Sequence, residues 1–107
     1  MPLAGAGLDV VPGGEPFTPG EILRTEFLEP MCISQSRLAR ATGLPTRYIS
    51  DIVRGRRAIS VAAAMRLSRA LGVDDLFWIN VHIDYDLELV RTLRSEALAK
   101  VTPLVSL

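Results

Sequence analysis

Apolar residues recur at helical spacing from Phe17 to about Val90, and turn signals divide that stretch into five predicted helices. The first spans Phe17–Pro30. Thr18 is suited to N-cap it, Pro19 to open it and Glu21 to close a capping box. Phe17 and Ile22 stand at hydrophobic-staple positions, and Ile22, Leu23, Phe27 and Leu28 form the core stripe. Glu29-Pro30 predicts the stop, because a residue before proline is pushed out of the α region. Ser34 caps the second helix, with Ile33 and Leu38 as a second staple. Gly43 makes a sharp corner, and Pro45 opens a third helix that runs to about Arg54 and ends at Gly55. Ser60 caps the fourth helix, which carries Ala64, Met65, Leu67, Ala70 and Leu71 and stops at Gly72.

The fifth helix starts behind Asp74 or Asp75 and meets no Gly or Pro before Pro103, which predicts a long element. It is apolar on two sides. One carries Phe77, Trp78, Val81 and Tyr85; the other carries Leu76, Ile79, Ile83, Leu87 and Val90. Four short helices can cover only one side, so the other asks for a partner, and a second copy of the chain is the simplest. Beyond Val90 the spacing continues through Leu93, Ala97, Leu98 and Val101. Residues 1–16 hold four Gly and three Pro and read as a flexible arm, with a short strand through Leu8, Val10 and Val11 as the alternative if a sheet edge is supplied.

Within this series, residues 34–57 carry the chemistry. Ile49, Ile52 and Val53 make one buried face, while Thr46, Arg47, Ser50, Asp51 and Arg54 face outward and can all hydrogen-bond. Apolar inward and hydrogen-bonding outward, behind a tight turn, is the specification of a DNA-reading helix-turn-helix. Its preceding helix crosses the DNA backbone, so Gln35 and the N–H groups of that first turn would meet phosphate. Arg56 and Arg57 follow in an exposed loop.

Charge strengthens this reading. The formal net charge of the 107 residues is zero, which taken alone argues against nucleic acid. Residues 34–72, however, hold eight arginines against one carboxylate, Asp51, a local +7 between ends of −4 and −3. Phosphate responds to that local field. The alternative, an ordinary solvated face, leaves unexplained why the arginines coincide with the helix-turn-helix.

The remaining chemistry is sparse. The single cysteine, Cys32, excludes an internal disulfide and a cysteine metal cluster, and reads as a small half-buried residue between helices. His82, with Asp84 and Asp86 nearby, reads as structural rather than as a metal ligand, and Met65 as a core filler. No cofactor is expected. The sequence offers no nucleophile beside a histidine, no paired catalytic carboxylates and no Gly-rich phosphate loop, so an enzyme is not expected. Nor does it show a signal peptide or a membrane-length apolar run, so the expected location is cytoplasmic.

Residues 34–55 resemble the helix-turn-helix of the phage-repressor-like (XRE) regulators. Pro19-Gly20-Glu21-Ile22-Leu23, the run Ile52–Ser60 and the pair of segments Phe77-Trp78-Ile79-Asn80 and Asp84-Tyr85-Asp86-Leu87 resemble the HigA antitoxin group, in its VapI-like branch. The resemblance covers about residues 17–90. It implies an all-α, five-helix, lambda-repressor-like DNA-binding domain (17–73) with a long C-terminal dimerisation helix and tail (74–107) on the same domain. It further implies a homodimer that represses its own operon and neutralises a HigB-type ribonuclease toxin, an mRNA endonuclease. Carried onto matching positions, Gln35 and Arg37 would approach phosphate, Thr46, Arg47, Ser50 and Asp51 would face base edges, and Arg54, Arg56 and Arg57 would hold the flanking backbone. Ile79, Ile83, Leu87 and Val90 would form the dimer seam. The alternative is a stand-alone regulator of the same fold without a toxin.

Overall fold

The computed structural model describes residues 17–105, and the expectations for the arm, including the strand at Leu8–Val11, lie outside them. The described residues are all helical in their regular structure. Helix α1 begins as Pro19–Ile22, widens into a π-helical turn over Leu23–Leu28 and finishes as Glu29–Met31. Helix α2 is Gln35–Thr42, α3 Thr46–Val53, α4 Val61–Leu71 and α5 Phe77–Leu93, followed by a short α6, Ser95–Ala99.

The start of α1 follows its sequence signals: Thr18 Oγ1 accepts from the Glu21 N–H at 3.1 Å, and Glu21 Oε1 accepts from the Thr18 N–H at 2.7 Å. Phe17 is exposed, so it contributes little as a staple. The end of α1 departs from expectation. Pro30 does not stop the helix. The Glu29 N–H reaches back to the Arg24 carbonyl, and this wider π turn gives the proline ring room beside the preceding carbonyls. The chain turns instead at Cys32, at φ 54°, with Cys32 N–H bonded to Glu29 O and Ile33 N–H to Leu28 O. Cys32 is therefore exposed at a left-handed corner, not half-buried between helices.

Two other boundaries shift. Pro45 is the N-cap of α3 with extended ψ, one residue outside the helix rather than its first residue. Neither aspartate caps α5 itself, since Leu76 occupies the N-cap. Asp74 Oδ1 accepts from the Leu76 N–H at 2.8 Å in the preceding turn, and Asp75 receives two hydrogen bonds from Arg69 at 3.1 Å. Those Arg69 hydrogen bonds, helped by its charge, hold the Asp75 carboxyl below its usual range. The fifth helix also stops short of Pro103: it ends at Leu93, and Arg94 leaves helical geometry at φ −126° before α6.

The core joins Ile22, Leu23, Phe27 and Leu28 of α1 to Leu38, Ala39, Ile49, Ile52, Leu67 and Trp78. Trp78 is fully buried, with its ring centroid 5.3 Å from both Phe27 and Phe77. Such aromatic pairs contribute about 0.5–1.5 kcal/mol each beyond area burial, and this cluster ties α5 to α1. Gly20 marks a second close approach. A Cβ there would stand 1.9 Å from the Ile52 carbonyl oxygen, so the first turn of α1 lies directly on the end of α3.

Candidate nucleic-acid interface

Helices α2 and α3 pack together around the corner at Gly43, whose φ of 75° suits a residue without Cβ. Ser34 starts α2, its Oγ accepting from the Arg37 N–H at 3.1 Å. Thr42 ends it. Its buried hydroxyl donates to the carbonyls of Leu38 and Ala39 at 2.8 and 3.1 Å and accepts from the Leu44 N–H at 3.2 Å. Arg66 of α4 donates to the Thr42 carbonyl at 2.7 Å, placing a cation where the α2 dipole is negative. The turn between the two helices is thus fixed by hydrogen bonds from both sides.

Ile49 and Ile52 of α3 are buried and Val53 is half-buried. The opposite face presents exposed Thr46, Arg47 and Arg54, with Ser50 and Asp51 half-buried beside them. The Arg47 side chain is 92% exposed and stands 4.0 Å from Asp51. An exposed pair at that distance holds the guanidinium only weakly. Gln35 is half-buried in the first turn of α2, and Arg37 is exposed.

After α3, the Gly55 N–H bonds to Ile52 O and the Arg56 N–H to Asp51 O, at 2.9 and 2.8 Å. This carries Arg54, Arg56 and Arg57 away from the helix end into solvent. Tyr48, to which the outward and inward pattern of α3 gives no role, anchors the same loop. Its hydroxyl accepts from the Ser60 N–H at 3.2 Å and reaches the Ala58 carbonyl at 3.5 Å, and its ring lies 4.9 Å below the Arg57 guanidinium. The only sequence signal for it is an aromatic residue on a short helix followed by an arginine pair. Two arginines of the basic block face away from this purpose: Arg66 caps α2 and Arg69 pairs with Asp75. This leaves Arg37, Arg40, Arg47, Arg54, Arg56 and Arg57 as the exposed arginines of the block outside α4.

On α5, Ile83, Leu87 and Val90 are exposed in the single chain at 47%, 45% and 39%, whereas Ile79 packs partly against the core. His82 Nε2 lies 3.2 Å from Asp86. Among the described residues no group of histidine, cysteine and acidic side chains is arranged to hold a metal ion, and no helix is long and apolar enough to cross a membrane.

A helix-turn-helix family model matches residues 26–78. Virulence-associated protein I of Dichelobacter nodosus is 44% identical over 71 residues, 66% of this chain and 66% of its own length. Antitoxin HigA-1 of Vibrio cholerae is 36% identical over 89 residues, 83% of this chain and 84% of that protein. Among solved structures, the Pseudomonas aeruginosa antitoxin HigA with higBA promoter is 37% identical, with a TM-score of 0.76 over 85% of this chain and 100% of its own.

Proposed function

This chain belongs to the HigA group of helix-turn-helix antitoxins, and from that membership we propose that it binds double-stranded operator DNA as a homodimer, represses its own operon and neutralises a HigB-type ribonuclease toxin. The observation that carries the DNA reading is α3: buried through Ile49 and Ile52, open through Thr46 and Arg47, and followed by a hydrogen-bonded arginine loop.

In this mechanism α3 enters the major groove. Thr46, Arg47, Ser50 and Asp51 face base edges, and Arg47 is the residue able to read a guanine bidentately. Gln35 and Arg37 meet phosphate at the start of α2, while Arg54, Arg56 and Arg57 hold the backbone beyond α3. Residues 17–73 form the reading unit and residues 74–107 the dimerisation helix and tail; α5 packs on the reading unit through Trp78, whereas Leu98, Val101, Leu104 and Val105 of the tail are exposed. The seam is built from Ile83, Leu87 and Val90, with Ile79 at its inner edge. The two reading helices then fall in successive major grooves, about 34 Å apart. The toxin reading rests on family membership, which the HigA-1 match supports.

An operator titration tests these assignments. Arg47→Ala should cost about 1–3 kcal/mol and relax preference at one base pair. Arg56→Ala should weaken all sequences alike and flatten the dependence on salt. Unchanged operator affinity in Arg47→Ala would show that the reading register is wrong. The toxin assignment is tested by co-expression: the product of the neighbouring gene should co-purify with this chain and lose ribonuclease activity in the complex.

A further inference from the structure

We propose that Tyr48 is a positioning residue for DNA binding: it sets the loop between α3 and α4 and holds the Arg57 guanidinium ready for phosphate. The inference rests on the operator-binding reading and adds a residue that the outward-facing pattern of α3 does not supply.

Three interactions of one side chain carry it. The Tyr48 hydroxyl accepts from the Ser60 N–H at 3.2 Å, and Ser60 is the N-cap of α4, whose own Oγ accepts from the Ala63 N–H at 3.2 Å. The same hydroxyl approaches the Ala58 carbonyl at 3.5 Å as donor. The ring then supports Arg57, its guanidinium carbon 4.9 Å from the centroid, within cation–π range. The near half of the loop is fixed by backbone hydrogen bonds from Gly55 to Ile52 and from Arg56 to Asp51. Tyr48 fixes the far half, from Arg57 to Ser60. Because Tyr48 lies on α3 itself, the reading helix and its phosphate-facing arginine move as one body.

A long arginine that must be immobilised on binding loses rotamer freedom. Holding it over a ring that is itself tied down at the hydroxyl removes part of that loss before DNA arrives, which is preorganisation in the ordinary sense. A guanidinium carries five N–H donors, so one held over a ring face still has donors to offer phosphate. Tyr48 therefore acts through Arg57 and not as a reader of bases.

The test is a double-mutant cycle on the full chain, with duplex DNA from the promoter of its own operon, measured by fluorescence anisotropy over a range of salt concentrations. Circular dichroism melts establish that each variant is folded. Tyr48→Leu should lower affinity about fivefold at low salt and reduce the salt slope by less than one, because Arg57 keeps its charge but is no longer held ready for its phosphate. Tyr48→Phe keeps the ring and removes the loop hydrogen bonds, and should give a smaller loss in the same direction; it keeps the proposal testable if Tyr48→Leu does not fold. Arg57→Ala should cost more than Tyr48→Leu, about tenfold with a salt slope lower by about one, and the double variant should bind little more weakly than Arg57→Ala alone, because Tyr48 acts only through that arginine. Additive losses would mean that Tyr48 touches DNA independently and would overturn the proposal. So would folded Tyr48 variants with the wild-type affinity and salt slope. If the unmodified chain bound no duplex at all, the operator-binding reading would fall as well, an outcome distinct from a Tyr48 effect alone.

Discussion

At the scale of single residues, side chains at the turn and in the loop do more than one task. Thr42 closes α2 with one O–H shared between two carbonyls and starts the next segment with an accepted bond. Tyr48 holds a loop with its hydroxyl and an arginine with its ring. Ser68 is a contrasting case. Its hydroxyl is fully buried on α4 and has no hydrogen-bond partner among the described residues. Ser68→Ala should therefore stabilise the fold by about 1 kcal/mol, by removing a buried unsatisfied group and by raising helix propensity; a urea midpoint measures it. What sequence could and could not show at this scale follows from the partners' distance along the chain. The Thr18–Glu21 box and the Ser34 and Ser60 caps are local and legible. Arg66 belongs to the basic block by count, yet its partner is the Thr42 carbonyl, 24 residues away. Nothing in the spacing of arginines distinguishes it from Arg54 or Arg56.

At the scale of elements, α1 and α3 are locked by backbone proximity. Gly20 has no room for a side chain against the Ile52 carbonyl, and that obstacle is backbone rather than a side chain able to rotate away. Gly20→Ala should destabilise the protein by about 3 kcal/mol, the upper end of ordinary overpacking, and should weaken operator binding even where the chain stays folded, because α3 must shift. Denaturant unfolding and the operator titration read the two effects separately. The stretch Pro19-Gly20 reads correctly as a helix start, but its close approach to α3 is a tertiary fact that periodicity does not carry. The end of α1 misleads for a related reason. A proline after Glu29 ordinarily stops an α-helix, whereas the π turn over Leu23–Leu28 accommodates it and moves the corner to Cys32. The π turn leaves the stripe Ile22, Leu23, Phe27, Leu28 buried, so the core positions are legible even where the boundary is not.

At the scale of the whole molecule, the two-sided pattern of α5 divides with one exception, Ile79, which the pattern places on the partner side and which packs partly against the core. Trp78 enters the core beside Phe27, and Ile83, Leu87 and Val90 remain exposed in the single chain. Leu87→Asp should dissociate the proposed dimer at tens of micromolar without unfolding the core, because Leu87 is exposed in the single chain and lies outside the core cluster. Sedimentation gives the oligomeric state, and a retained cooperative melt shows that the chain is still folded. A monomeric wild type under the same conditions would rule out the dimer. The length of α5 is less legible than its faces: the absence of Gly and Pro before Pro103 does not guarantee continuity, and the backbone breaks at Arg94. The most direct test of a two-fold reader of operator DNA is a hydroxyl-radical footprint on the promoter of the chain's own operon. Two protected half-sites are expected one helical turn apart, about 10 base pairs centre to centre, with the Arg47→Ala variant losing protection at both. A single protected patch, or uniform protection without half-sites, would contradict the two-fold reader.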